Sequence, residues 1–210
     1  MPSTEPRPAP PPGGAPARCF GTGDALYEAY HDTEWGHPVR DDRGLFERIS
    51  LEAFQSGLSW ITVLRRRETF RAAFDDFDPA RVAAYDDADV ARLMADPGII
   101  RNRAKVGATI ANARALLELR AAGGSLAALF RSAAPETDTP APVVPADVPS
   151  TTPGSVALAK SLKAAGFRFV GPTTAYAAMQ ACGVVDDHLR ECPARAAAER
   201  ARAASERVHP

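Results

Sequence analysis

Glu52 stands where a soluble helix ordinarily carries hydrocarbon, since Ile49 at i−3 and Leu45 at i−7 share its face. The carboxylate therefore points inward. A buried charge without a partner is strongly disfavoured, and the group takes up a proton unless something cationic or rich in donors meets it. That partner is either one of the chain's own side chains, the commoner arrangement, or a ligand. Gly57 ends this helix, Ser59 caps the next and Trp60 opens it, so the turn sets an inward acid beside an indole. Upstream, Tyr27, Tyr30, His31 and Glu34 fall at i, i+3, i+4 and i+7, which places two phenols and an imidazole on one helical face. An amphipathic helix packing its tyrosines on the core has the same pattern.

Two further groups carry chemistry. His188 and Cys192, spaced one helical turn apart, can point at one ion, and Cys19 and His31 near the other end of the chain can complete a tetrahedral set. Four protein ligands leave no open position for a catalytic water, so the metal reading is a structural zinc. The alternative is a core cysteine beside a surface histidine. The stretch from Phe167 to Ala175 reads as a tight turn entering a helix through Pro172. The free N–H groups of Gly171, Thr173 and Thr174 at such a helix start suit an anion such as a phosphate.

The elements that must position these residues are helices. A short one runs from Asp24 to Trp35 and is stopped by Gly36. Asp41 or Asp42 caps the helix of Glu52, and a second helix runs from Trp60 to near Phe74 through Val63 and Leu64. Asp78-Pro79 starts another, Asp87 or Asp89 the next, and a longer helix from about Asn102 to Ala121 presents Val106, Ile110, Ala113 and Leu117. Leu126 to Arg131 forms one more. Prolines between Ala133 and Pro153 make a connector. Ser155 caps a helix ended by Gly166, and the last turn-entered helix runs to Cys182-Gly183.

β-branched alternation is scarce, so the fold is all-α. Residues 1–17, dominated by proline, alanine and glycine, read as a disordered tail, and residues 193–210 as an Ala/Arg-rich tail, leaving 18–192 as the folded region. No apolar run reaches the length of a membrane span, and the start lacks a signal peptide's charged and apolar regions, so a cytoplasmic protein without membrane contact is expected. Three cysteines, an odd number, argue for thiols or metal ligands rather than a disulfide framework. A net charge of −1 excludes an overall basic field, so any nucleic-acid surface must be local. The candidates are Arg65 to Arg67, then Arg101, Arg103 and Lys105, then Lys160, Lys163 and Arg168.

Taken together, Tyr27-x-x-Tyr30-His31-Asp32-x-Glu34-Trp35-Gly36, Leu51-Glu52-x-x-Gln55-x-Gly57-Leu58-Ser59-Trp60-Ile61, Phe167-x-Phe169-Val170-Gly171, Met179-Gln180-x-Cys182-Gly183 and Asp187-His188 resemble the DNA-3-methyladenine glycosylase I family, over about Arg18 to Cys192. The resemblance implies a helix-hairpin-helix glycosylase fold, its hairpin at about 155–182, with a structural zinc joining the two ends of the chain. It implies zinc ligands Cys19, His31, His188 and Cys192, and a base pocket of Glu52, Tyr27, Tyr30 and Trp60 with Trp35 nearby. The hairpin at Val170, Gly171 and Thr173 would hold the DNA backbone, and Gln55, Gly57 and Leu58 would lie at the gap left by an extruded nucleotide. In one departure, Phe20-Gly21 follows Cys19 where family members commonly carry a tryptophan, so either Phe20 substitutes or one wall of the pocket is missing.

The implied activity is a monofunctional one acting on double-stranded alkylated DNA. Flipping exposes 3-methyladenine, electron-rich rings hold the cationic base, and water attacks the sugar to leave an abasic site with free 3-methyladenine as product. No lysine is placed for a Schiff base, and no aspartate clearly follows the hairpin. A non-catalytic DNA-damage-binding protein on the same scaffold is the rival, and a zinc hydrolase is disfavoured by the closed ligand set. A monomer is expected.

Overall fold

The structure, a computed structural model, describes residues 18–135 and 140–208; the tail expected over residues 1–17 lies outside them. Among the described residues every regular element is helical. Helix α1 (Ala25–Thr33) is capped by Asp24, whose carboxylate accepts from the Tyr27 N–H at 3.1 Å. Helix α2 (Asp42–Gln55), capped by Asp41, is the axis of the molecule. It buries Leu45, Phe46, Ile49, Leu51 and Phe54, and Phe54 meets Phe70 with ring centroids 4.7 Å apart in an aromatic cluster continued by Phe74 and Phe77.

The helix expected from Trp60 to Phe74 is two helices, α3 (Trp60–Leu64) and α4 (Arg67–Ala73). The Arg66 N–H bonds back to the Val63 carbonyl at 2.9 Å, tightening the end of α3, and Arg66 leaves helical geometry at φ −105°, ψ 2°. The break brings Arg67 round to Glu34. Helix α5 (Pro79–Ala83) starts at Asp78 as expected. Helix α6 (Asp87–Ala95) is capped by Asp86, not by Asp87 or Asp89, because Asp86 and Asp89 cap each other's backbone reciprocally. Helices α7 (Arg103–Ala121) and α8 (Leu126–Ser132) follow the apolar pattern, except that Leu116 rather than Leu117 is fully buried.

Among its described residues the connector holds one 3₁₀ turn, Pro145–Asp147, before α9 (Pro153–Ala164). Thr152, not Ser155, caps α9; Ser155 is the third helical residue, and its hydroxyl oxygen in return accepts from the Thr152 N–H at 2.9 Å. A turn over residues 165–171 leads to α10 (Pro172–Ala181), which packs on α2. The segment expected as a tail forms α11 (Arg195–Val208), with Ala198 fully buried and the Ser205 hydroxyl accepting from Arg40 at 2.8 Å. The two ends of the described chain thus converge. Gly183 permits this, since a Cβ there would come within 2.6 Å of the Gly36 carbonyl oxygen. Among the described residues, no helix is long and apolar enough to cross a membrane.

Candidate active site

Between α1, α2, α3 and α10 lies a cavity of about 290 Å³ whose walls include Phe20, Tyr27, Tyr30, Trp35, Glu52, Gln55, Trp60 and Gln180. Tyr30 and Trp60 are buried with ring centroids 5.3 Å apart, while Phe20 packs 4.8 Å from Tyr27 and 5.0 Å from Trp35. Phe20 therefore supplies the wall that the sequence left in question. Four further lining residues carried no sequence signal for this place: Pro145 and Val148 from the connector, Ala177 on α10, and Leu189 in the loop before α11. Gln180 and Asp187 stood in motifs without a role. In the structure the Asp187 carboxylate accepts from Tyr176 at 2.6 Å and from Gln180 at 2.7 Å, fixing the amide at the cavity wall.

Glu52 is the electrostatic centre. Burial pushes its carboxyl up to about 8, partly opposed by the Arg48 guanidinium, and its Oε2 has no hydrogen-bond partner among the described residues. The indole Nε1 of Trp60 is likewise buried and unpartnered. One acid and one N–H donor without partners in a cage of π-faces form a site for a flat heteroaromatic ring carrying positive charge. Arg48 does not neutralise the acid; it donates to Glu34 at 2.8 Å, beside Arg67 donating to the same carboxylate at 2.8 Å. Burial would raise Glu34, but the two guanidiniums outweigh it and hold the group at about 2.

Two exposed turns flank this region. Gly57, at φ +84°, reverses the chain after α2 and leaves Leu58 44 % exposed. Lys105, expected as part of a surface basic cluster, is buried instead: it donates to the carbonyls of Phe54 at 2.9 Å and Ser56 at 2.7 Å, closing the C-terminal end of α2. The second turn joins α9 to α10. Val170 is buried beneath it, Thr173 is exposed, and a Cβ added at Gly171 would meet no protein atom, so another molecule's backbone can approach. No side chain caps α10, which leaves its first N–H groups available to an anion. Asn112 clamps the turn through both halves of its amide, donating to the Arg168 carbonyl at 3.1 Å and accepting from the Arg168 N–H at 2.7 Å. Phe169 next to it is exposed and sits at φ +56°, a strained setting for an aromatic residue.

At the junction of the chain ends, Cys19, His31 and Cys192 bring one ligand-type atom each within 4.8 Å of one another. His31 Nδ1 faces the Asp32 carboxylate at 2.8 Å, so it carries the proton and Nε2 keeps its lone pair, which receives the Cys19 N–H at 3.3 Å. Burial pushes the Cys19 thiol up, which holds it neutral until a cation compensates. His188 is adjacent, its ring centroid 5.0 Å from that of His31, but it stands outside the cluster: Nδ1 pairs with Asp186 at 2.7 Å and Nε2 faces the His31 carbonyl oxygen at 3.4 Å. The helical turn expected between His188 and Cys192 is an irregular loop ahead of α11, so it is the convergence of the chain ends, not i, i+4 spacing, that gathers these groups.

Comparison with known proteins places this architecture. The sequence profile of the methyladenine glycosylase family matches residues 20–196. DNA-3-methyladenine glycosylase 1 of Escherichia coli (strain K12) is 49 % identical over 172 residues, 80 % of this chain and 91 % of that protein. The DNA-3-methyladenine glycosylase of Haemophilus influenzae is 44 % identical over 184 residues, 85 % and 97 % of the two chains. A solved structure on 3-methyladenine recognition by 3-methyladenine DNA glycosylase I from Staphylococcus aureus superposes with a TM-score of 0.81 at 36 % identity, covering 87 % of this chain and 98 % of that one. The chain belongs to the methyladenine glycosylase family and is, with it, an N-glycosyl hydrolase.

Proposed function

We infer that the protein is a monofunctional DNA glycosylase that flips 3-methyladenine out of alkylated duplex DNA and releases it by hydrolysis. The observation that carries this is the buried, partnerless pair of Glu52 Oε2 and Trp60 Nε1 inside an aromatic cavity, in a chain whose relatives are named for that base. Adenine methylated at N3 is cationic in the nucleotide. Each π-face of Tyr27, Tyr30 and Trp60 favours it over a neutral base by about 0.5 to 2 kcal/mol. Arrival of the cation makes the Glu52 carboxylate the preferred form, and its proton leaves to solvent. The carboxylate accepts from the base's N–H groups.

The same charge weakens the glycosidic bond. When it breaks, the electron pair goes to the ring, which departs neutral; water forms the new bond to the sugar's anomeric carbon and gives up a proton. Little acid catalysis is required, and among the described residues of the cavity wall there is no lysine for a covalent intermediate. Extrusion costs a few kcal/mol, which Leu58 offsets by filling the vacated stack, while Gln55 and Gly57 line the gap. The α9–α10 turn serves as the helix-hairpin-helix, with Gly171 and Thr173 at the phosphate backbone and Val170 anchoring the turn to the core. Cys19, His31 and Cys192, with His188 beside them, suit a structural zinc that holds the chain ends and takes no part in the chemistry.

The test is direct: purified protein is incubated with methylated duplex DNA and released bases are separated by chromatography. Free 3-methyladenine with an intact strand is expected. Lesion-dependent binding without base release would replace this reading with a non-catalytic damage binder.

A further inference from the structure

Arg48 and Glu52 stand four residues apart on α2, the spacing at which a helix pairs a guanidinium with a carboxylate. Both belong to the buried side of the helix, and each leaves one polar atom without a partner among the described residues, Arg48 Nη1 and Glu52 Oε2. Two complementary groups in reach of a pairing rotamer, each incompletely satisfied, are held apart by something. What holds them is Glu34. From just beyond the end of α1, its Oε2 takes the Arg48 Nη2 at 2.8 Å, and the guanidinium lies over the face of Tyr30, 6.0 Å from the ring centroid. Arg67, placed by the break between α3 and α4, binds the same carboxylate and fixes it.

We propose that Glu34 is a positioning residue that diverts Arg48 from Glu52 and so keeps the pocket's carboxylate available to a cationic base from outside. The proposal rests on the assignment of the cavity as the base site. Arg48 is the cation nearest in kind to the ligand: paired with Glu52 it would occupy the acid and repel the incoming charge, since like charges share a buried site at high cost. Glu34 is not among the described residues of the cavity wall; of the two guanidiniums its carboxylate holds, Arg48 is the one that shares a helix with Glu52.

The probe is a permanently cationic adenine methylated on both N3 and N9, titrated by calorimetry onto the intact protein. Glu34→Gln keeps the shape of the side chain but not its charge, and Arg48 is expected to turn to Glu52, weakening the cation by about tenfold or more. Adding Arg48→Met to that variant removes the intruding charge and is expected to restore affinity to within about threefold of the parent. If Glu34 merely supported the fold, the second substitution would weaken binding further, and that result overturns the proposal. Arg48→Met alone, which needs no folded Glu34 variant, is expected to bind the cation at least as tightly as the parent; weaker binding overturns it too. Glu52→Gln separates the two levels of inference. If that variant binds the cation like the parent, the base-site assignment itself fails; if it does not, the Glu34 and Arg48 variants decide the diversion.

Discussion

Replacing Glu52 by glutamine should make the ligand-free protein more stable in a strictly pH-dependent way. The carboxyl ionises at 4.5 in an unfolded chain and at about 8 in the cavity, where burial penalises the charge. Between those values the native state holds a proton that the unfolded state has released, so stability is full below 4.5 and is lost as pH rises to about 8. At about 1.4 kcal/mol per pH unit, the interval sets an upper bound of about 5 kcal/mol on the loss. Glutamine occupies the same volume and never ionises. Urea unfolding of both proteins from about pH 4.5 to about pH 8.5 isolates the contribution, because every other titrating group cancels in the difference. The glutamine variant should start level with the parent and gain several kcal/mol by the alkaline end, while losing affinity for cationic base. A difference that stays flat with pH would show that Glu52 is ionised and already compensated within the protein, which would refute the argument for an open acid.

Other perturbations address the remaining parts of the site. Phe20→Ala should weaken base binding by about 1 kcal/mol through loss of its contacts with Tyr27 and Trp35, and Phe20→Trp should retain it; calorimetry against 3-methyladenine checks both. Cys192→Ser should lower the zinc content measured by atomic absorption from about one per chain, and lower the melting temperature. Lys105→Met should weaken binding to a duplex containing an abasic analogue by about tenfold while free-base affinity changes less, because it releases the turn of Leu58 without entering the cavity wall.

The parts of this molecule legible in the sequence are those fixed by short-range rules. Asp41, Asp78 and Asn102 cap their helices because a short polar side chain reaches the first free N–H groups wherever it precedes an apolar stripe. Glu52 was visible as an acid on an apolar face for the same reason. Lys105 shows the limit: its flanking arginines suggested a solvated surface, but the carbonyls it satisfies belong to residues some fifty positions away. Cys19, His31 and Cys192 were expected together from the two ends of the chain and do cluster, whereas the helical turn expected to bring His188 in beside Cys192 is absent among the described residues. Pro145 and Val148 could not be placed at all, because a connector without periodicity carries no record of the wall it covers.

Helix α7 explains why the two exposed turns can act as one surface. Lys105 and Asn112 lie seven residues apart, two helical turns, and hence on the same face, separated by about 10 Å along the axis. The first binds the end of α2 that carries Gly57 and Leu58; the second grips Arg168 in the turn between α9 and α10. Both are buried, and neither touches the cavity. Loops are ordinarily the softest parts of a fold, free to vary in spacing. Here the separation between the turns is set by a helix of nineteen residues whose Val106, Ile110 and Ala113 are locked in the core. On the function proposed above, a duplex would present its extruded nucleotide and its neighbouring phosphates at a fixed distance, and a surface gripping both would require a rigid strut behind it, the part α7 would then play.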